Sequence, residues 1–494
     1  MEKQSIFFSC FILLGIISFT IFQCSNSTNY KKLIKKGEFK KASQLIRVEL
    51  ASNPNLSDQE RIDLSFEIER MDRIKKDFTK DEKDILKYIK TYIPEVSVSD
   101  LRNWEREKSL EYMIINGEKK YFNSAGQNFF RIDKEAKAIK EKVEKEKTEK
   151  KSEKFPLDKH LTNIIEKVKS SDNRYVCPVN LKIKQSITVK ENVIPNGKVL
   201  RCWIPFPREI ESRQTDIKLL NSEPAKYILA DNVQTKQRTI YFEKIAKSGN
   251  PTKFFVEYQY TSHGIYVPVD PNRVVPIPKT EALEPFLNEV PPHIVFTKEL
   301  QELSKIIVGT ETNPYRIAQK LFEWVDVNIP WASAREYSTF RNIPEYVYEN
   351  RHGDCGMQTL FFITLCRING IPAKWQSGWE FQPPKDSMHD WGEIYFEPYG
   401  WLPMDVTYGL RETDNEELKW FYLNGMDSYR LIFNDAYSQN FYPAKIHARS
   451  ETIDSQRGEV EWEGGNLYFD KWDYDLEWEV IQPSEVIKIK VKEK

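Results

Sequence analysis

The sequence predicts a multidomain α+β protein in which helices and strands occupy different parts of the chain. Its 494 residues suffice for several hydrophobic cores. Apolar residues follow a helical period before residue 133, alternate after residue 176, and return to a helical period after residue 297. A nearly all-charged stretch, residues 133–154, separates the first two regions and marks a domain boundary.

These patterns divide the chain into seven predicted segments. They are a signal peptide (1–23), a helical hairpin (24–75), a small helix-hairpin module (80–132), a charged linker or helix (133–175), a β-rich, β-sandwich-like domain (176–280), an α+β core (281–415) and a C-terminal β extension (416–494).

The balance of charge limits the classes of partner. Lysine and arginine total 73 and aspartate and glutamate total 74, so no long-range field attracts nucleic acid or an anionic membrane. We therefore expect no nucleic-acid partner, and we also expect no cofactor. Aromatic residues make up 13 % of the chain, which is most often a sign of large β-rich cores.

The N-terminus is typical of an export signal. Lys3 precedes the mostly apolar run Ile6–Phe22, whose length and flanks fit a secretory signal better than a stable membrane span, although a signal anchor stays open. Cys24 follows the run, as the lipid acceptor of a bacterial lipoprotein does, but Gln23 before it departs from the usual small residue. Lipid attachment at Cys24 and ordinary cleavage near Ser27 are both left open. We expect an exported protein, periplasmic or at the cell surface.

The remaining cysteines do not form a disulfide framework. Four stay after the signal region, Cys177, Cys202, Cys355 and Cys366, which is few for so long an exported chain. Cys177 and Cys202 flank a predicted hairpin, and the sequence allows either a disulfide between them or two free core thiols.

The first 150 residues predict helices and one hairpin. A break at Gly37 separates two short amphipathic helices, similar to a single tetratricopeptide-type unit or a generic helical hairpin. Asn116-Gly117 lies between two strand-like runs and predicts a type I′ turn. We expect this region to dock a protein partner.

The stretch "RHGDCGMQTL" places Cys355 at the predicted start of a buried helix. Gly353 allows a tight turn and Asp354 can cap the helix, so the helix dipole would lower the pKa of the thiol. Gly356 would leave the backbone open, so that the Cys355 N–H can serve as an oxyanion donor. Cys366, three turns later in the same apolar run, is expected to be a structural thiol.

A nucleophilic cysteine needs a base and a group that orients the base. His389 begins the strand-like run "HDWGEIYFE", and Asp405 ends the antiparallel return "WLPMD". The two side chains are therefore expected to be neighbours across a hairpin. A metal site formed by His352, Cys355 and His389 is the weaker alternative, because no close ligand pair such as CxxC is present.

Residues from about 313 to 410 resemble the transglutaminase-like superfamily of papain-type cysteine enzymes. The motifs are "HGDCGMQTLFFITLCRINGIPAKWQSGW", "MHDWGEIYF" and "GWLPMDVTYG", in that order. The resemblance implies a transglutaminase-like catalytic domain with Cys355 as nucleophile, His389 as base and acid, and Asp405 as the group that orients the histidine. It also suggests Trp331 as an aromatic that helps at the oxyanion.

The resemblance implies attack of Cys355 on an amide carbonyl to give a thioester. Water then completes hydrolysis, and a competing amine would complete transamidation. We prefer an amide hydrolase acting on a protein or peptide, with protein cross-linking or a non-catalytic surface scaffold as the alternatives.

Overall fold

The computed structural model describes residues 29–147, 155–481 and 486–489. The predicted signal peptide and Cys24 lie outside the described residues. The described residues fall into two compact units, which lie within residues 1–147 and 148–494. None of the helices in the described ranges is long and apolar enough to cross a membrane.

The first unit consists of helices and one β-hairpin, as its sequence periods predict. A helical stretch at 29–35 precedes the named elements. These are α1 (Phe39–Ser52), α2 (Asp58–Asp77), α3 (Glu82–Ile89), α4 (Val98–Arg106), β1 (Tyr112–Ile115), β2 (Glu118–Tyr121), α5 (Ala125–Ile132) and α6 (Lys134–Lys147).

Two local features shape this unit. The turn between β1 and β2 has positive φ at both Asn116 (51°) and Gly117 (89°), as a type I′ turn requires. Gly37 also has a positive φ (73°), and its carbonyl accepts a hydrogen bond from Asn116 N at 2.8 Å. A Cβ at Gly37 would collide with the Ile114 carbonyl, so this close approach of the chain to the hairpin requires glycine.

The second unit contains the remaining described elements. They are α7 (Leu157–Lys169), β3 (Tyr175–Val189), β4 (Val199–Pro205), β5 (Gln214–Glu223), β6 (Ile228–Leu229), β7 (Thr239–Ile245), β8 (Thr252–Tyr266), α8 (Lys298–Val308), α9 (Pro314–Asn328), α10 (Ile343–Asn350), α11 (Cys355–Ile368), β9 (Ala373–Glu380), β10 (Ser387–Phe396), β11 (Gly400–Met404), α12 (Glu416–Lys419), α13 (Phe421–Asn424), β12 (Gly425–Met426), β13 (Arg430–Asn434), β14 (Glu459–Trp462), β15 (Gly465–Leu467), β16 (Trp472–Ile481) and β17 (Val486–Ile489).

Two antiparallel sheets enclose one apolar core of this unit. One sheet runs β12-β8-β3-β16-β17 with β5 beside β8, and the other runs β15-β14-β4-β7-β6. The sequence-distant strands β14 and β16 pair with β4 and β3, so the end of the chain completes both sheets. The alternation read from residue 176 onward places side chains of both sheets, such as Ile183 and Phe242, in the shared core.

A third sheet, with the order β11-β10-β9-β13, packs against helix α11. Apolar residues lie on all faces of α11, and the structure buries nearly the whole helix, as predicted. The N-cap of α9 is Asn313, with Pro314 as its first helical residue. The mixed α+β fold class predicted from the sequence is confirmed, and the sheet holds β10 against the first turns of α11.

The cysteines of the described residues are free thiols. Cys177 is half-buried, and Cys202, Cys355 and Cys366 are buried. Of the two alternatives for Cys177 and Cys202, the structure therefore shows free thiols rather than a disulfide.

Candidate active site

Cys355 is the first residue of α11, and the residue before it caps the helix. Asp354 Oδ1 accepts a hydrogen bond from the Met357 N–H at 3.1 Å, which satisfies one of the free donors at the helix start. The Tyr337 hydroxyl donates to the same oxygen at 2.7 Å. Cys355 is 9 % exposed, so the thiol lies just beneath the protein surface.

The sulfur of Cys355 has a hydrogen-bond partner that the sequence did not indicate. Cys355 Sγ lies 3.3 Å from Asp390 Oδ2, and the carboxyl group of Asp390 is itself buried. Burial raises the pKa of the Cys355 thiol, and the charges of Asp390 and Asp354 raise it further when these acids are ionised. The helix start was expected to lower the pKa of this thiol; in this arrangement burial and the two acids outweigh the helix dipole.

Gly356 is also more enclosed than expected. A Cβ at this position would collide with the Tyr337 hydroxyl and would lie 2.7 Å from Asp390 Oδ2. The glycine is therefore required because Tyr337 and Asp390 pack against it, and the backbone there is not open in the way that the sequence suggested.

Cys366 shows how a cysteine without these partners behaves on the same helix. It has no exposed surface, and burial alone raises the pKa of its thiol strongly. Its surroundings are apolar, as the sequence predicts for a structural thiol.

His389 and Asp405 are brought together by the hairpin of β10 and β11. These strands pair with Gly392 opposite Met404, which puts the start of β10 beside the residue that follows β11. His389 Nε2 lies 2.7 Å from Asp405 Oδ2, and both side chains are buried. Nε2 of His389 is thus hydrogen-bonded to the Asp405 carboxylate, and Nδ1 is the ring nitrogen that can exchange a proton with another group.

The charge of each partner is stabilised by the other. Burial alone would lower the pKa of His389, but the charges of Asp405 and Glu380 outweigh it, and the pKa lies above its ordinary value. Burial alone would raise the pKa of Asp405, but His389 and Arg430 together hold it below its ordinary value. The pair is therefore suited to carry a proton on the imidazole while the carboxylate stays ionised.

Arg430, the first residue of β13, is a component of the site that sequence reasoning missed. Its Nη1 donates to Asp405 Oδ2 at 2.9 Å, and its Nε donates to Asp427 Oδ2 at the same distance. Its side chain is fully buried, and the guanidinium lies over the rings of Tyr408 and Trp391. A charged residue that opens the apolar run "RLIFN" is the signal that could have drawn attention to it.

The alternation of β10 explains which groups meet. Successive side chains of a strand point to opposite faces, so His389 and Trp391 share one face while Asp390 and Gly392 share the other. The Asp390 face packs on α11, where the Thr359 hydroxyl donates to the Asp390 carbonyl at 3.3 Å. The structure thus brings His389 into hydrogen-bond contact with Asp405, and Cys355 into hydrogen-bond contact with Asp390. Among the described residues, Cys355 and His389 are not hydrogen-bonded to each other.

Trp331 lies beside the loop that leads to Cys355. It forms a parallel bridge with Gly353, and Ala332 N donates to the Gly353 carbonyl at 2.9 Å. Its side chain is 41 % exposed, unusual for tryptophan.

The weaker metal hypothesis receives no support from the geometry. Within the described ranges, no group of three or more His, Cys, Asp and Glu side chains is arranged to hold a metal ion. His352 is buried, which lowers its pKa to about 4, and its ring packs against Tyr346.

Comparison with known proteins gives one family match and one curated relative. Residues 301–406 match the model of the transglutaminase-like superfamily. YebA of Bacillus subtilis (strain 168), an uncharacterized protein, is 19 % identical over 250 residues. That match covers 44 % of this chain and 34 % of YebA, so the chain spans about a third of the length of this relative.

Two solved structures are similar to parts of the chain. A Cytophaga hutchinsonii protein described as a candidate cysteine protease has 15 % identity and a TM-score of 0.44, over 64 % of this chain and 96 % of that one. The periplasmic domain of TgpA from Pseudomonas aeruginosa has 12 % identity and a TM-score of 0.27, over 55 % of this chain and 98 % of that one.

The family match covers the elements that build the candidate site. Residues 301–406 include α11 with Cys355, the strands β9 to β11, His389 and Asp405. The resemblance predicted from the three sequence motifs is confirmed by this match. The match identifies residues 301–406 as a transglutaminase-like segment of the chain.

Proposed function

We propose that the chain is a thiol-dependent amide hydrolase that cleaves peptide or isopeptide bonds through a thioester on Cys355. The observation that carries this proposal is the buried 2.7 Å hydrogen bond between His389 and Asp405, on a strand packed against the first turns of the Cys355 helix. The family match supports a thiol-dependent hydrolase or transamidase.

The proposed reaction has two steps that share the same groups. The thiol proton passes to His389, the Cys355 sulfur bonds to the carbonyl carbon, and the carbon–nitrogen bond breaks as His389 protonates the departing amine. Water then gives a proton to His389 and bonds to the carbonyl carbon, and the carbon–sulfur bond breaks. The acid product leaves and the thiol regains its proton.

Asp405 and Arg430 act on this reaction through the histidine. Asp405 stabilises the imidazolium formed in each step, and Arg430 keeps Asp405 ionised and fixed in position. Trp331 is proposed to line the cleft near the developing oxyanion, together with the Cys355 N–H.

The products distinguish hydrolysis from transamidation. We expect peptide and isopeptide libraries incubated with the protein to yield new carboxyl groups, each with one oxygen from ¹⁸O-labelled water, as detected by mass spectrometry. A fluorescent primary amine added in millimolar excess should be incorporated into a small minority of products. Predominant incorporation of the amine would make the protein a transamidase.

The same experiment also tests the scaffold alternative. If neither product forms and Cys355 is no more reactive toward a thiol probe than Cys366, a non-catalytic scaffold is favoured.

We also propose that the protein is exported and that Cys24 carries a lipid. The support is the order of the sequence, in which the apolar run Ile6–Phe22 ends just before Cys24. Expressed in a diderm bacterium, the full chain should fractionate with membranes, and Cys24→Ala should move it to the soluble periplasmic fraction. Unchanged membrane association of that variant would instead indicate a signal anchor.

A further inference from the structure

The acid that touches the nucleophile is held by several buried groups. Asp390 is 2 % exposed, and its Oδ2 lies 3.3 Å from both Cys355 Sγ and the Tyr337 hydroxyl. Its Oδ1 accepts a hydrogen bond from Gln456 Nε2 at 2.8 Å. The same Gln456 nitrogen donates to the His389 carbonyl at 3.0 Å. Asp390 is thus fixed in place against the reacting sulfur.

A second buried carboxyl group lies against the first. Asp454 is 1 % exposed, and its side chain interacts with Asp390 and with the Ser377 hydroxyl. Its Oδ2 accepts no hydrogen bond from the N–H and O–H groups of the described residues. Two carboxylates in contact in a buried site cannot both be ionised, so the pair is expected to retain one proton.

The arginines near the pair of acids form hydrogen bonds with groups other than the Asp390 carboxyl. Arg457 donates to both carboxylate oxygens of Glu336, and Arg449 donates to the backbone carbonyls of Gln439 and Asp454. Asp354 adds a further carboxyl charge near Asp390, and Glu451 and Glu336 add carboxyl groups near Asp454 and Asp354. Neutralisation of Asp390 by a proton is therefore favoured over neutralisation by an arginine.

The titration of the individual acids agrees with this arrangement. Burial and the charge of Asp454 raise the pKa of Asp390 well above its ordinary value, and burial raises that of Asp454 as well. Burial also raises the pKa of Asp354 to about 6. The interaction of the Ser377 hydroxyl with Asp454 favours Asp454 as the ionised member of the pair and Asp390 as the member that holds the shared proton.

We propose that Asp390 is a further catalytic residue, which in its protonated form donates a hydrogen bond to the thiolate of Cys355 and in its ionised form suppresses that thiolate. The inference builds on the proposed thiol chemistry, although its main test does not depend on amide cleavage. No proton is consumed: the thiol proton passes to His389, and the carboxyl proton of Asp390 stays on oxygen and points to the sulfur. Asp454 keeps that proton in place, because its own charge opposes ionisation of Asp390.

Asp390→Asn tests this role, because asparagine has the same shape and can donate a hydrogen bond but cannot ionise. The measurement is the rate at which iodoacetamide alkylates Cys355 in the full chain between pH 5 and 10, followed by mass spectrometry of the Cys355 peptide. At pH 6 the variant should react within about threefold of the wild type. On the alkaline side, where Asp390 ionises, it should react about tenfold faster or more, since one unit of thiol pKa changes the thiolate fraction tenfold.

Asp454→Asn should act in the opposite direction. Without the neighbouring charge Asp390 ionises at lower pH, so alkylation of Cys355 should become slower than in the wild type near neutral pH. Opposite shifts from two neighbouring isosteric substitutions are not expected from loss of structure alone. Cys366, which has no exposed surface, serves as the internal control for unfolding in every sample.

Two results would overturn the role. If Asp390→Asn abolishes alkylation at every pH while Cys366 stays protected, Asp390 is the base that removes the thiol proton rather than a donor to the thiolate. If neither variant changes the pH profile, Asp390 has no influence on the sulfur. If the pH profiles of Cys355 alkylation shift as expected but the protein cleaves no amide, this role of Asp390 stands and the proposed hydrolase function is rejected.

Discussion

Replacing Cys355 with alanine is expected to lower the rate of amide cleavage by about 10³-fold or more, to the level of the uncatalysed reaction with the substrate merely bound. Among the thiols of the described residues, Cys355 is the one whose sulfur is hydrogen-bonded to β10, next to His389. The measurement is the release of labelled peptide fragments under conditions in which the wild type cleaves the same bond.

The matched control lies on the same helix. Cys366→Ala removes one sulfur from the apolar core, which should cost about 1 kcal/mol of stability and leave the turnover within about twofold. Cys355→Ser keeps the volume and the hydrogen bond to Asp390 but provides a poorer nucleophile, so it should be almost as inactive as alanine. Substantial cleavage by Cys355→Ala would refute the proposed site.

Replacing Arg430 with methionine is expected to destabilise the second unit by about 3–5 kcal/mol, because the carboxylates of Asp405 and Asp427 would lose their buried cation. Methionine fills much of the volume of the side chain, so the loss is electrostatic rather than a cavity. The free energy of unfolding, measured in urea by fluorescence of the buried tryptophans, tests the size of the effect.

The destabilisation should depend on pH in a defined direction. In the wild type the pKa of Asp427 is lowered to about 2, so its stabilising contribution is present above about pH 4 and is lost as the pH falls toward 2. In the variant, burial without the cation would raise the pKa of both Asp405 and Asp427. At neutral pH their unpaired buried charges would lower the free energy of unfolding. Protonation of the two acids at lower pH would remove that destabilisation. The difference between the two proteins should therefore be largest near pH 7 and smaller near pH 4.

Two further variants separate this effect from a general loss of charge. Arg411→Met breaks an ion pair with Asp158, whose side chain is 57 % exposed, and should cost less than about 1 kcal/mol. Adding Asp427→Asn to Arg430→Met should restore part of the stability, because it removes one uncompensated buried charge. A cost for Arg430→Met no greater than that for Arg411→Met would contradict the argument.

Local sequence signals predicted much of the site. The helix start at Cys355 follows from the cap at Asp354 and the apolar run behind it, and the structure has both. The meeting of His389 with Asp405 follows from the short turn between two strand-like runs, which allows only antiparallel pairing. Each inference needed only residues close together in the sequence.

The parts that could not be predicted depend on contacts between distant residues. Arg430 reaches Asp405 because β13 pairs with β9, a strand some fifty residues earlier, and no local pattern specifies that pairing. The proximity of Cys355 to Asp390 depends on how α11 lies across β10, and that in turn sets the direction of the pKa shift of the thiol. A helix start alone is therefore not sufficient to infer an activated cysteine.

Strands β13, β14 and β16 lie beyond the residues that resemble the superfamily, yet they complete the structure around the site. Arg430, on β13, holds Asp405, and Gln456, just before β14, holds both the His389 backbone and Asp390. β16 pairs with β3 inside the sheet that also contains β8. The segment that matches the family model, residues 301–406, is consequently smaller than the compact unit that contains it, which lies within residues 148–494. Transfer of residues 301–406 alone into another protein would carry Cys355, His389 and Asp405 without Arg430 and Gln456, the side chains that hold Asp405 and Asp390.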